Sequence, residues 1–310
     1  MARIARTRLH GLILAVSVLR VLVSAASAQT DVAPDLKFRS DVTEVRLTFS
    51  TTDIHNHVLA TVQPADFAVV DQDRVIHNFK NFSRTEYTRL DIAILIDASN
   101  SLTPQFRQEM AQVVELLAQT RGVPDDSVSV VSFQDLKPAV VCEGNCRTLA
   151  ESQFPVVRSG GLTPLYDSIV FTSRILAGHT DLHARKVLIL FSDGMDTISQ
   201  KSFTDALDSA VDHDIAVYSI DTSKKPHTSQ GTSILRSLCV NTGGRYFSME
   251  MGTEQVVDAV LKDFHATYTV AYKLPTQAMG FHQVQIFPTH DLSLQFHCRR
   301  GYYYPANPEN

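Results

Sequence analysis

From Leu90 onward, apolar and polar positions follow an alternating grammar of buried strands and amphipathic helices. Ile92 to Ile96 is an unbroken apolar run, as expected of a strand covered on both faces. Thr103-Pro104 then supplies a helix cap followed by proline at the first helical position, and Phe106, Met110, Val113 and Leu117 recur at helical spacing up to Gly122. Further strands are predicted at Ser127 to Phe133, near Val140, and at Lys186 to Phe191, Ile215 to Ile220 and Arg245 to Ser248. Helices are predicted at Leu165 to Leu176, Phe203 to Val211, Ile234 to Val240 and Thr253 to His265. Strands that alternate with helices in this way imply an α/β domain with a doubly wound, mainly parallel sheet, occupying residues 89–266.

Both flanks of this domain switch to period 2. Before it, in residues 33–88, short alternating runs at Val42 to Phe49, His57 to Val62 and Phe67 to Val70 are separated by turn residues such as Asp53, Asn56, Pro64 and Asp71. After it, in residues 267–304, alternation returns at Tyr268 to Tyr272, Val284 to Phe287 and Leu292 to Phe296, ending in Arg299-Arg300-Gly301-Tyr302-Tyr303-Tyr304. Neither flank is long enough to bury a core by itself, and strands need partners. The two flanks are therefore expected to pair into one small β-sandwich from which the α/β domain projects as an insertion.

Composition narrows the setting. With 44% hydrophobic and 20% charged residues in 310, the chain can fill one full-sized domain and a smaller one. Arg3, Arg6 and Arg8, the apolar run from Leu12 to Val23 and Ala26-Ser27-Ala28 read as a secretory signal over residues 1–28, although Arg20 interrupts the run. Export to the periplasm or the exterior is the expectation. No later stretch approaches the roughly 20 apolar residues of a membrane-spanning helix, so the mature chain is expected to be soluble. The formal net charge is −5, and loss of the four Arg in the first 28 residues, which contain no acid, would bring it to −9. That sign, with no aromatic-interleaved basic stripe, argues against a nucleic-acid partner. Four cysteines permit three full pairings in an oxidising compartment. Cys142 and Cys146 flank the turn-forming Glu143-Gly144-Asn145 and are the preferred pair, with four free thiols as the alternative.

Ligands of an open α/β sheet collect in the crevice outside the carboxyl ends of the strands. Three motifs can line that edge: Asp97-Ala98-Ser99-Asn100-Ser101 after the first buried strand, the Gly160-Gly161-Leu162-Thr163-Pro164 loop, and Ser192-Asp193-Gly194 after the strand from Lys186. Together they offer two carboxylates, Asp97 and Asp193, and three hydroxyls, Ser99, Ser101 and Thr163. Hard oxygen donors of this kind suit Mg²⁺, Mn²⁺ or Ca²⁺. Neutral hydroxyls offset little of the metal's charge, so the ion stays electrophilic and prefers a carboxylate from outside.

At these residues the sequence closely resembles the von Willebrand factor A domain family and its metal-ion-dependent adhesion site. Asp97, Ser99 and Ser101 match the family's DxSxS motif in full, Thr163 matches its distant threonine, and Asp193 matches its last acid. The resemblance implies that one ion, held by Asp97, Ser99, Ser101, Thr163 and Asp193, bridges to a carboxylate on a partner protein. It extends to related bacterial exported proteins, in which a "DF.V.D"-like stretch precedes the domain and an "RxGYY"-like ending follows it. Asp66-Phe67-Ala68-Val69-Val70-Asp71, one position off the pattern at its end, and Arg299-Arg300-Gly301-Tyr302-Tyr303 correspond to these.

Rival chemistries lack their parts. Metal-dependent phosphatases of the haloacid dehalogenase type need DxDx[TV], and Ser99 stands where the second acid belongs. No GxSxG elbow, HExxH or glycine-rich phosphate loop is present. His55 and His57, flanking Asn56, fit a solvated turn better than a metal pair, and surface positions suffice for His179 and His183. The expectation is a non-enzymatic adhesion-type protein, with a metal-dependent hydrolase and a scaffold whose site stays empty as the alternatives.

Overall fold

The computed structural model of the protein describes residues 44–59, 61–85, 88–98, 111–113, 115, 126–135, 137–144, 146, 161–179, 181, 184–223 and 229–305. The signal-like segment 1–28 and most of the helix expected after Thr103 lie outside them, although residues 111–113 are helical and Val113 is buried.

Strands β1 Glu44–Thr52, β2 Phe67–Asp71, β3 Arg74–Ile76 and β4 Phe79–Thr85 come first. The α/β domain follows with β5 Leu90–Asp97, β6 Ser127–Gln134, β7 Lys137–Cys142, α1 Leu165–Ala177, β8 Arg185–Ser192, α2 Phe203–Asp212, β9 Ile215–Asp221, α3 Gln230–Thr242, β10 Tyr246–Ser248 and α4 Thr253–His265. Strands β11 Thr267–Lys273, β12 Gly280–Pro288, β13 Gln295–Cys298 and β14 Gly301–Tyr304 close the chain.

The central sheet runs β10-β9-β8-β5-β6-β7, parallel throughout except for β7, which pairs antiparallel with β6. Every residue of β5 is buried, which is why its sequence does not alternate. Ile92, Ile94 and Ile96 pack on one face with Val256, Val260 and Phe264 of α4. Ala93 and Leu95 pack on the other face with Leu165 and Ile169 of α1 and Ala206 and Ala210 of α2. Each fully buried Ile contributes about 1.5–3 kcal/mol, so this one strand anchors both helical layers. Caps set the helix starts: the Ser202 hydroxyl accepts from the Asp205 amide at 3.1 Å while Asp205 accepts from the Ser202 amide at 2.7 Å.

The flanking strands form two further sheets, β13-β1-β11-β4 and β14-β12-β2-β3. Both mix strands from before and after the α/β domain, β1 lying between β13 and β11. Val45, Leu47, Phe49, Val69, Val270 and Tyr272 fill the space between them. At its centre the carboxylate of Asp71, from the first flanking motif, accepts the Tyr302 hydroxyl of the last motif at 2.7 Å and the Tyr272 hydroxyl at 2.9 Å. Burial, with the Asp71 charge beside them, raises the ionisation of both phenols far above the usual range.

Two details differ from the pattern reading. Among the described residues from His57 to Val62 there is no strand, and Val58 alone forms an isolated bridge, to Thr52. Asp53 Oδ1 instead accepts the amides of His55 and His57 at 2.7 and 2.8 Å, with Asn56 at φ 64°, so the backbone is satisfied by a local turn. The alternating runs do not include strand β4, nor do they include strand β3. Strand β3 joins β2 through Gln72 and Asp73, both at positive φ, a two-residue turn that needs no glycine here.

Strand β7 ends at Cys142, which is disulfide-bonded to Cys146. The Gly144 amide donates to Ser129 Oγ at 3.0 Å and the Cys146 amide to the Val128 carbonyl at 3.1 Å, so this loop is laced to β6. Cys239 and Cys298 are buried thiols; burial pushes them up to about 11 and about 12, which makes them core residues rather than nucleophiles.

Candidate metal centre

Parallel register brings the ends of β5, β8 and β9 level. Ile96 faces Phe191 and Ser192 faces Asp221, so Asp97, Ser192 and Asp221 form a row along the carboxyl edge. Asp97 is 8% exposed. The Ser192 hydroxyl donates to Asp97 Oδ2 at 2.8 Å and accepts the Gly194 amide at 3.0 Å. One serine thus fixes the first carboxylate and also the turn that carries Asp193.

That turn is held from two further sides. Asp193 Oδ1 accepts the Met195 amide at 3.0 Å, which orients the side chain. Gly194, at φ 79°, lies so close to Gly231 in the first turn of α3 that a Cβ on it would sit 2.3 Å from the Gly231 carbonyl oxygen. A Cβ on Gly231 would come within 2.0 Å of the Asp193 carbonyl oxygen. Only glycine permits this approach on either side.

Thr163, 4% exposed, reaches the same edge from the loop before α1. Its amide donates to Thr197 Oγ1 at 2.7 Å and its carbonyl accepts the Thr197 amide at 2.9 Å, so the Thr163 and Asp193 loops are stitched together. Asp167 strengthens the seam by accepting the Gln200 and Lys201 amides at 3.0 and 2.8 Å, a supporting role in keeping with its place in the sequence. Asp196 reads from sequence as a solvated turn acid. It is instead half-buried and accepts from Ser199 Oγ at 2.5 Å and the Tyr166 amide at 3.4 Å, linking its turn to the start of α1.

Of the five candidate donors, Asp97, Thr163 and Asp193 lie on this edge, while Ser99 and Ser101 lie outside the described residues. Among the described residues no three His, Cys, Asp or Glu side chains converge, so a cation here depends on hydroxyl oxygen as well as carboxylate. Two acids and a buried hydroxyl on one edge fit a hard divalent ion such as Mg²⁺, Mn²⁺ or Ca²⁺, and fit a thiolate- or imidazole-seeking ion poorly.

Sequence reasoning missed two members of the row. Ser192 stands in the third motif with no role of its own readable there, and only the strand register reveals its reach to Asp97. Asp221 had a signal, because Asp221-Thr222-Ser223 after a buried strand repeats the Asp-x-Ser spacing of Asp97 and Ser99. Its carboxylate is already engaged by the Ser223 amide at 2.9 Å, Thr232 Oγ1 at 2.7 Å and the Tyr246 hydroxyl at 2.8 Å. Burial alone would raise its ionisation, but these donors outweigh it and hold it below the usual carboxylate range. Asp221 therefore anchors α3, and through Gly231 it steadies Asp193.

The von Willebrand factor type A domain model matches residues 91–259. No curated protein matches the chain. Similar solved structures include an aerotolerance-related membrane protein from Bacteroides fragilis, 13% identical, covering 56% of this chain and 98% of that one at a TM-score of 0.43. BatB from Bacteroides thetaiotaomicron is 12% identical, with the same coverage of 56% and 98%, at a TM-score of 0.40. Proximal thread matrix protein 1 from the mussel byssus, with a zinc-occupied MIDAS motif, is 17% identical, covering 63% of this chain and 50% of that one at a TM-score of 0.47. The family model spans more than half of the chain and contains the whole edge from Asp97 to Asp221, and this protein belongs to the von Willebrand factor type A domain family.

Proposed function

We propose that this protein is an exported, non-enzymatic binding module. A single divalent cation, Mg²⁺ or in its place Mn²⁺ or Ca²⁺, is held by Asp97, Ser99, Ser101, Thr163 and Asp193 and bridges to a carboxylate on a partner protein. The observation that carries this reading is the double role of Ser192, which ties Asp97 to the Asp193 turn through bonds of 2.8 and 3.0 Å. Carboxylates preset in this way lose little freedom when an ion arrives, which favours binding. The donor chemistry supports capture rather than turnover. With two acids against three neutral hydroxyls, the ion keeps enough positive charge to draw an outside carboxylate. The signal-like segment at residues 1–28 supports export, and no helix among the described residues is long and apolar enough to cross a membrane.

Calorimetric titration with Mg²⁺ and Mn²⁺ tests the site. Saturable binding to the wild-type chain and its loss in Asp97→Ala are expected; no saturable binding, or identical binding by the variant, overturns the assignment. Retention of partner protein from a cell-envelope extract, compared with and without chelator, tests the bridging role.

A further inference from the structure

The end of the molecule opposite Asp97 carries a second concavity. A cavity of about 1420 Å³ opens where the amino-terminal ends of β5 and β8 approach the outer face of the β13-β1-β11-β4 sheet. Its walls reverse the charge of the chain. Among the described residues, six Lys and Arg line it against four Asp and Glu, whereas the whole chain has 28 against 33. Three of those acids are visibly engaged. Glu44 lies 3.4 Å from Arg46 and 3.2 Å from Lys80, Asp181 lies 3.2 Å from Arg89, and Asp214 lies 2.8 Å from Arg299. Arg174, in the last turn of α1, and Lys186, near the start of β8, line the same cavity with no acidic partner among the described residues.

The facing wall has a different chemistry. Thr48, Thr269 and Ser83 occupy paired positions across β1, β11 and β4, and the two threonine hydroxyls are 3.4 Å apart. Small hydroxyl side chains leave the space open and supply neutral hydrogen-bond donors. We propose that this cleft binds a multivalent oxyanion, a small molecule or chain end bearing two or more phosphate or carboxylate groups. Arg174 and Lys186 supply the uncompensated charge, and the Thr48-Thr269-Ser83 row the neutral contacts. A concave wall of low dielectric focuses the field of its cations, and a guanidinium meets an oxyanion through two parallel bonds. Strand β8 separates Lys186 from Ser192 by about 20 Å at 3.3 Å per residue, so this site is distinct from the carboxyl edge.

Calorimetric titration of the full chain in metal-free, low-salt buffer, with pyrophosphate and separately with citrate, tests the proposal. Saturation at one site per chain by at least one anion is expected, and preference between them separates phosphate from carboxylate ligands. The Arg174→Gln/Lys186→Gln variant should weaken binding by about 10-fold or more, Lys186→Arg should retain it, and Asp97→Ala should leave it unchanged. Both altered side chains lie outside the core, so unfolding transitions should match the wild type. Saturation by neither anion overturns the proposal. So does equal weakening by Lys201→Gln, which removes an exposed charge elsewhere and would reveal nonspecific attraction.

Discussion

Asp71 and Asp97 are both buried aspartates whose carboxylates accept side-chain hydroxyls, yet they occupy opposite kinds of place. Asp71 ends β2 inside the sandwich, fully enclosed, with Tyr272 and Tyr302 donating from strands on the far side of the α/β domain. Asp97 ends β5 at the carboxyl edge of an open sheet, with Ser192 donating from the adjacent strand and two loops arriving beside it. The difference teaches that hydroxyl donors around a carboxylate do not by themselves mark a binding site. Enclosure turns such a cluster into a lock between distant segments. A sheet edge turns it into a platform.

The sharpest way to break this contrast is to remove the lock. Asp71→Ala orphans the buried Tyr272 hydroxyl at about 1–3 kcal/mol and takes one of two partners from the half-buried Tyr302 hydroxyl, which keeps His282 Nδ1 at 3.2 Å, a total loss of about 2–4 kcal/mol. Against a total stability of about 5–15 kcal/mol that is severe, and urea unfolding of the full chain measures it. Asp71→Asn, which retains an acceptor oxygen, should lose less and should bind Mg²⁺ as the wild type does. A loss below about 1 kcal/mol in Asp71→Ala would mean that the cluster is not a lock.

Asp97→Ala should invert the pattern. Its metal affinity should fall by more than the 10–100-fold typical of outer-shell losses, while stability without metal drops by only about 1 kcal/mol. In the wild type, Mg²⁺ at a hundred times its dissociation constant should add about 2.7 kcal/mol of stability, and in the variant none. Unfolding curves with and without Mg²⁺ give both values. Equal stabilisation of the two proteins would place the ion elsewhere.

The fold was legible because its cues are local. The apolar run of β5, the caps of the helices and the return of period 2 at Tyr268 each follow from a few neighbouring residues. The edge row was legible only in part. Asp97 and Asp193 sit where strands end and Thr163 just before a helix, which a sequence shows, but Ser192 reaches Asp97 through strand register, which it does not. The Asp71 to Tyr302 bond joins residues 231 apart, beyond the reach of any periodicity. The irregular stretch after Asp53 escaped for the opposite reason. A side-chain acceptor satisfied backbone amides that alternation assigns to a strand.

Ser192 offers a finer test, because it serves the edge without being a proposed metal donor. Ser192→Ala should weaken Mg²⁺ binding about 10-fold, at the low end of outer-shell effects, and cost about 1 kcal/mol of stability. Titration of the variant decides the point, since unchanged affinity would show that Asp97 and Asp193 are placed independently of one another.

The smallest expected effect concerns pH and separates the two regions without touching either carboxylate. His297 on β13 is half-buried, its Nε2 2.9 Å from Thr52 Oγ1, with the Asp263 and Arg245 charges of the α/β domain acting on its ring. Burial pushes its ionisation below the ordinary 6.5, so the folded protein holds the ring neutral where the unfolded chain would protonate it. The unfolded state then binds more protons below pH 6.5, and its contribution to stability is complete above that value. It is lost progressively as pH falls through the folded value. Unfolding free energies measured from pH 7.5 down to pH 5 should therefore decline, and His297→Gln, which cannot titrate, should flatten the slope. Mg²⁺ affinity corrected for stability should not follow the same curve, because His297 stands on β13 of the sandwich and not on the carboxyl edge. A metal-binding curve that shifts with His297→Gln would show that the sandwich and the sheet edge are energetically coupled.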